Sequence, residues 1–449
     1  MRGELFFTVN SPGEVSTWLT PVVQALRSAG SQARVTVFLV PCTYASGTEA
    51  EVVARIPGVD RVIPPAESLR FALFGAAPRG IARPERGVLL FLGGEFMLAA
   101  RLARRLAVPA AAYTEGYINS AEAFERIFVP REQAREKVVA RGAAPERVEV
   151  VGDLMVDAAR MRLQEAGHPA VADARTDPAE PASDPGDAPP GKGGASGEGP
   201  VVVLLPGSRP YEVRRGLPFL LRAAARLAGI RSGVQFAVAV SPFATPRDFA
   251  FALEALGAGE RGKELEALFS PGGEGALRLR LPLEGRALEV AFERARAARA
   301  MARADLALTI PGSNTAELAV YGVPMIVCVP LDRPEEIPLE GIAGLLDRVP
   351  LVGKRLKAAA VMRAARRVGL VALPNRVAGE LVVPELKSAA LRPEEVAEAA
   401  AQLLDAPERL EWMRARLVSI MGPEGAAQAI AGWLEERLGQ EGNAAKPRS

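Results

Sequence analysis

Apolar positions along this chain come in two alternating kinds. Short continuous aliphatic runs are separated by longer stretches in which apolar residues recur at helical spacing. In the first part, ELFFTVN, ARVTVFLVP, GVLLFLGG, VPAAAYTEG, RIFVP and VEVVGD read as strands. WLTPVVQALRSAG, FMLAARLARRLA and REQAREKVVARGA lie between them and read as amphipathic helices. From residue 200 the pattern repeats with VVVLLPGS, QFAVAVSP, LRLRLP, LALTIPGS, PMIVCVP and LVALPN. Continuous aliphatic strands belong to sheets covered on both faces, and their alternation with helices predicts parallel βαβ units. The expectation is an α/β chain of two doubly wound, Rossmann-like domains facing a central cleft.

The stretch 164–199, rich in Pro, Gly, Ala and Asp, is too polar to bury a core and reads as a disordered linker. It sets the predicted domains at 1–163 and 200–438, with a disordered tail at 439–449. The last helix, around Trp433 and Leu434, is expected to cross back to the first domain. At 449 residues the chain is long enough for both cores.

Composition narrows the chemistry. With 55 basic and 53 acidic residues the formal charge is +2, so no global field selects nucleic acid, and any polyanion must be met locally. Cys42 and Cys328 are far apart beside aliphatic runs and read as buried thiols of a reducing compartment. The single histidine, His168, falls in the low-complexity stretch, which argues against histidine catalysis and against a His/Cys metal site. No segment offers about 18 uninterrupted apolar residues, and the start of the chain has too short an apolar core for a signal peptide. A cytoplasmic protein is expected, with peripheral contact to the inner face of the cell membrane left open.

In a doubly wound sheet ligands bind outside the carboxyl ends of the strands. There Pro206-Gly207-Ser208-Arg209 follows an aliphatic strand and runs into a helix. Backbone N–H groups at Gly207 and Ser208 and the guanidinium of Arg209 suit a phosphate; a structural Arg209–Glu212 pair is the competing reading. In a second such tail, Pro311-Gly312-Ser313-Asn314, backbone and hydroxyl donors precede a short helix carrying Glu317, a carboxylate able to accept from ribose hydroxyls. The third tail is LVALPNRVAGELVVPEL, where Asn375 follows a proline at a predicted strand end, Gly379 permits a tight turn and Glu385 opens a further predicted helix.

Together LLPGSRPYEV, PGSNTAE and above all LPNRVAGELVVPEL resemble lipid-A-disaccharide synthases, glycosyltransferases of the GT-B architecture; PGEVS near the N-terminus resembles that family's Gly-Glu-x-Ser turn. The resemblance implies an inverting, metal-independent transfer of an acylated glucosamine from a UDP-sugar to a lipid-linked sugar acceptor. Gly207, Ser208, Arg209, Glu212, Gly312, Ser313, Asn314, Glu317 and Asn375 would then face the nucleotide sugar. UDP-sugar is a substrate, so no cofactor and no metal are expected. The sequence also has no Asp-x-Asp signature, which leaves Arg209 and helix N-termini to meet a leaving diphosphate.

On the acceptor side the chain departs from the family. Where the family carries an Asp-x-Pro-Asp-Phe-Asn loop with the supposed base, this chain has Leu92-Gly93-Gly94-Glu95-Phe96-Met97. The family's aromatic Ser-Pro-Ser-x-Trp-Ala-Trp stretch is absent, and Asp153 stands where it has His. The base role falls to Glu95 or Glu14, with Glu115 and Asp153 behind them. A basic, amphipathic segment between Leu351 and Arg367 is a candidate surface for anionic lipid. The rivals are another glycolipid or cell-wall transferase, a UDP-sugar epimerase on the same scaffold, and a catalytically silent protein that binds a nucleotide sugar or glycolipid.

Overall fold

The computed structural model describes residues 3–41, 47–167, 199–258, 262–270, 275–283, 285–330, 369–388 and 390–444. Cys42, His168, most of the predicted linker and the basic segment between Leu351 and Arg367 lie outside the described residues. The chain divides into two compact bodies. One takes the chain up to Met161 and again from Gly422; the other holds the described residues between Arg162 and Met421.

The first body is built on β1 (Glu4–Val9), β2 (Arg34–Leu39), β3 (Arg61–Ile63), β4 (Gly87–Phe91), β5 (Ala110–Tyr113), β6 (Arg126–Val129) and β7 (Val148–Val150). They form one sheet in the order β3-β2-β1-β4-β5-β6-β7, with every pairing parallel. The chain starts in the middle, winds outward to β3, then returns to β4, so the winding reverses between β1 and β4. Continuous burial along β1, β2 and β4 explains why these strands read as unbroken aliphatic runs. β3 carries three residues and no such run, and the hydropathy pattern does not announce it.

The helix Ala426–Ala444 also belongs to this body. Its start is fixed by Asp157, whose carboxylate accepts from the backbone N–H of Gly425 at 2.7 Å and of Ala427 at 2.6 Å. Further along, Trp433 packs edge-on against Phe128 with ring centroids 5.6 Å apart. Arg437 makes a forked pair with Glu125 at 2.8 and 3.1 Å. The helix runs on to Ala444, so residues 439–444, expected in a disordered tail, are helical.

The second body has β8 (Val201–Leu205), β9 (Gln235–Ala239), β10 (Ala276–Leu283), β11 (Arg286–Glu293), β12 (Leu306–Thr309), β13 (Met325–Pro330) and β14 (Glu385–Ser388). The order is β10-β11-β9-β8-β12-β13-β14, parallel except for the β10/β11 hairpin at one edge. In that hairpin β10 buries every second residue over its second half, the pattern of a half-covered antiparallel edge. Cys328 on β13 is buried, which pushes its thiol up to about 12.

Two expectations are corrected here. LVALPN is not a strand: a helix, Leu373–Ala378, begins inside it, because Pro374 sits in the first turn, where a missing N–H costs nothing. Glu385 opens β14 rather than a helix. β14 is a four-residue edge strand with the mixed sequence ELKS, too short and too polar to read as one. No helix among the described residues is long and apolar enough to cross a membrane.

Asp157 is the point at which the last helix can be released selectively. Asp157→Ala should lower stability by about 1–2 kcal/mol through loss of the cap. Hydrogen exchange should accelerate first in peptides covering Gly425 to Leu438, while peptides from the second body stay protected.

Candidate functional site

The carboxyl edge of the second sheet gathers the glycine turns. After β8, Gly207 has φ +98°, and a Cβ there would stand 2.4 Å from Glu212 Oε2 and 2.8 Å from Ile310 Cδ1, so only glycine fits. Glu212, in the first turn of the helix Pro210–Ile230, folds back over the turn. Its Oε2 accepts from the N–H of Ser208 at 2.9 Å and of Arg209 at 3.1 Å. Its Oε1 takes Arg209 Nη1 at 3.2 Å and the Tyr211 hydroxyl at 3.1 Å. Burial, with the Glu212 carboxylate second, pushes the Tyr211 phenol up to about 12. Of the two amides expected to meet a ligand phosphate, that of Ser208 is thus filled by a carboxylate of the chain itself, and Arg209 is held in a pair with Glu212.

The neighbouring turn follows β12. Asn314 Nδ2 donates to Thr309 Oγ1 at 2.6 Å, and Thr315 Oγ1 donates to the Gly312 carbonyl at 2.8 Å, which shapes Gly312 and Ser313 into a compact loop before the helix Asn314–Val320. Ser208 and Ser313 are both half-buried, and neither hydroxyl bonds to another described residue. Glu317, on that helix, is already engaged: Oε1 accepts from Arg162 Nε at 2.9 Å and from the Tyr321 hydroxyl at 2.8 Å. Burial pulls the Arg162 guanidinium down, but Glu317 and Tyr321 outweigh it and its pKa is raised. Burial and the Glu317 charge drive the Tyr321 phenol far above its ordinary range.

Asn375 lies below this surface, fully buried. Its Oδ1 accepts from the N–H groups of Val382 and Val383, both at 2.9 Å; its Nδ2 donates to the Val383 carbonyl at 2.9 Å and to Glu385 Oε1 at 2.8 Å. Glu385 in turn accepts from the amides of Val371 and Ala372 and from Lys387 Nζ, each at 2.9 Å. Burial pushes the Glu385 carboxyl up, but the bonds from Lys387, Ala372, Asn375 and Val371 outweigh it, so its pKa is lowered. Gly379, at φ +73°, ends the helix Leu373–Ala378 in the left-handed conformation. The LPN…AG…PEL spacing is therefore that of a clamp: asparagine and glutamate tie a short helix to the edge strand β14.

The first body repeats the device seen after β8. Beyond β1, Glu14 Oε2 accepts from the N–H of Asn10 at 2.9 Å and of Ser11 at 3.3 Å, while Ser11 Oγ accepts from the Glu14 N–H at 3.5 Å. The helix that follows widens into a π-turn over Val15–Leu19, upstream of Pro21, whose ring would press on the carbonyl four residues back in a regular α-helix. Gly93 and Gly94, beyond β4, pack on the same turn: a Cβ on Gly93 would overlap the Glu14 carboxylate, and one on Gly94 would lie 2.1 Å from Val40 Cγ2. Glu95 comes next, exposed, as the residue that opens the helix Phe96–Leu106, with no side-chain cap bond. Of the two expected bases, Glu14 is spent on its turn and Glu95 projects from it. Leu92, at the position of the family's acidic residue, is fully buried.

A buried polar group fills the same edge further along. Arg131 Nη2 bonds Asp153 Oδ2 at 2.5 Å, and the Tyr113 hydroxyl accepts from the Leu154 N–H at 3.2 Å. Burial raises the pKa of Asp153 despite the opposing pull of Arg131, and Trp18 stands edge-on to Tyr113 at 5.3 Å. At 3% exposure Asp153 holds the edge together and has no access to a substrate. Sequence reasoning missed Tyr211, Arg162 and Tyr321. Tyr321 lies four residues after Glu317 on one helix face, a spacing that could have found it; Arg162 is 155 residues away from Glu317, beyond any local signal.

These features define a two-domain α/β protein of the GT-B class, with glycine turns collected at the carboxyl ends of its first strands. No family model matches the chain. It is similar to the lipid-A-disaccharide synthase of Geobacter metallireducens, 29% identical over 247 residues, covering 54% of this chain and 50% of that protein. With the synthase of Alkalilimnicola ehrlichii it is 33% identical over 226 residues, covering 50% and 46%. The chain spans about half the length of the curated relatives it matches. Among solved structures, S. aureus MnaA with UDP aligns at TM-score 0.53 and 13% identity, over 98% of this chain and 97% of that one. The UDP-GlcNAc 2-epimerase of Neisseria meningitidis bound to UDP-GlcNAc aligns at 0.50 and 12%, over 96% and 100%. At such identities the structural likeness is one of fold.

The clamp yields two outcomes. Asn375→Ala strands several buried backbone groups and should cost about 3 kcal/mol, read as a lower denaturation midpoint. Because the folded pKa of Glu385 lies below the ordinary 4.5, its contribution is complete above that pH and is lost as pH falls through the folded value. Thermal melts should show Glu385→Gln less stable than wild type at neutral pH, with the gap closing in acid.

Proposed function

We propose that this chain is a UDP-sugar-dependent glycosyltransferase acting as lipid-A-disaccharide synthases do. It moves an acylated glucosamine-type sugar from UDP to a lipid-linked sugar acceptor, inverts the anomeric centre, uses no metal, and works at the cytoplasmic face of the membrane. The observation that carries the reading is the pair of turns at the ends of the adjacent strands β8 and β12. Each precedes a helix, and Ser208 and Ser313 hold hydroxyls that no described residue uses. The similarity to synthases supports the reaction class, and the shared fold with MnaA, solved with UDP, supports a nucleotide ligand.

In this reading Ser208, Ser313 and the N-terminal end of the helix Pro210–Ile230 receive the diphosphate, and Arg209 stabilises the charge that develops on the leaving UDP. Glu212 yields the amides of Ser208 and Arg209 as the phosphate arrives. Glu317 keeps Arg162 and Tyr321 on Oε1 and offers Oε2 to the ribose hydroxyls. Asn375 supports the loop without touching the ligand. Glu95 is the general base: it takes the proton of the acceptor hydroxyl as that oxygen forms the new bond to the anomeric carbon and the bond to UDP breaks. Attack from the face opposite UDP inverts the centre.

The test incubates pure protein with a panel of UDP-sugars, with and without lipid extract, and measures UDP release. Glu95→Gln should cut turnover by about 10²- to 10⁴-fold with donor affinity unchanged, whereas Arg209→Ala should weaken both. Unchanged turnover in Glu95→Gln removes it as base. No UDP from any pair sinks the transferase reading in favour of a nucleotide-sugar-binding scaffold.

A further inference from the structure

The amino ends of the central strands of the first sheet hold a cavity that the chemistry proposed above does not use. Gly3, Ala33 and Arg86, the residues that precede the adjacent strands β1, β2 and β4, line it together with Gln32 and with Glu435 and Leu438 of the helix Ala426–Ala444. Its volume is about 500 Å³, room for a small organic molecule. All of these residues belong to the first body. The turn that carries Glu14 lies at the other end of β1, about 20 Å away along a strand of six residues.

The helix beside this cavity is fixed on both sides of the last turn described above. Arg437 holds it through the forked pair with Glu125, ahead of β6, and Leu438 lies against Gly3, where a Cβ would stand 3.1 Å from Leu438 Cδ2. Glu435, three residues before Leu438 on the same helix face, is left over. Its Oε1 is shut off from solvent and accepts from no described residue, a state that costs free energy until a donor meets it. Nearby, Gln32 Nε2 is spent on the Gly30 carbonyl at 3.2 Å, which leaves Oε1 of that amide as a second acceptor. Arg86, which has a partner of its own, brings a positive charge to the lining and disfavours any ligand with two cationic ends.

We propose that this cavity binds a small organic monocation, a primary ammonium group on a short chain. Its N–H groups satisfy Glu435 Oε1 and Gln32 Oε1, and its chain lies along Ala33 and Leu438. An ammonium supplies three donors and the charge that a carboxylate calls for. A calcium or magnesium ion would ask for more oxygen ligands than these two side chains hold, and an anion would face Glu435. Because the lining comes from the strands and from the last helix together, an occupant also fastens that helix to the sheet.

Calorimetric titration of the full chain with butylamine, putrescine and butyrate tests the site. Butylamine should bind saturably, putrescine more weakly and butyrate not at all. Glu435→Gln should weaken butylamine at least about tenfold, the scale of one charge-assisted hydrogen bond. Gly439→Leu should do the same by filling the space: Gly439 also lines the cavity, and a Cβ there would have no neighbour within 4 Å. Leucine is the better helix former, so the melt of this variant without amine should be no lower than that of wild type. With butylamine bound, hydrogen exchange should slow in peptides covering Glu435 to Gly439. The proposal is overturned by the absence of saturable butylamine binding, by butyrate binding as tightly, by putrescine binding more tightly, or by an affinity unchanged in both variants. Neither position is assigned to chemistry, so UDP release should be the same in both variants, and failure of this site leaves the transferase reading where it stands.

Discussion

Wherever a parallel strand ends and a helix begins, several backbone N–H groups face the same small space and need acceptors. In both bodies the first strand solves this with a glutamate reaching back from the first turn of the following helix. Glu14 takes the amides of Asn10 and Ser11, and Glu212 those of Ser208 and Arg209. Much of the surrounding sequence follows from the room this carboxylate needs. Gly207 has no Cβ because Glu212 and Ile310 occupy its place, and Gly93 has none because Glu14 does. In the β8 turn that resembles a phosphate site, the amides of Ser208 and Arg209 are already taken by a carboxylate of the chain.

In the proposed reading, a phosphate entering the β8 turn would replace an existing carboxylate rather than fill bare amides, so part of its interaction energy would go to moving Glu212. The carboxylate also repels any anion until it moves. Arg209, paired with Glu212, would follow the displaced carboxylate or transfer to the incoming phosphate, and the second outcome couples ligand entry to release of the guanidinium. Glu317 is likewise held in place, by Arg162 and Tyr321, which would pre-organise it for the ribose contact proposed above.

The sequence made the two parallel sheets legible because buried strands such as VVVLL and GVLLF are aliphatic on both faces. Short edge strands escaped. RVI of β3 and ELKS of β14 carry too little apolar signal, and their pairing is decided by the sheet they join. The site was legible as locations more than as roles. Gly207, Ser208, Gly312 and Ser313 do lie at strand tails. Asn375, however, was placed against the nucleotide sugar by the resemblance of LPNRVAGELVVPEL, and the local sequence cannot disclose that four bonds with residues 382, 383 and 385 engage its amide. The same limit hid Arg162 from Glu317.

The return of the last helix to the first body makes the second body an insertion in the first, a fact with consequences during synthesis. The residues from Gly422 onward leave the ribosome after the whole second body, yet they supply the helix held by Asp157 and packed on Phe128 through Trp433. The second body can complete its core while the first still lacks a helix. Nascent chains therefore carry an uncovered apolar face on the first sheet until the residues after Gly422 have been made. Truncation before Gly422 would harm the oldest part of the chain rather than the newest.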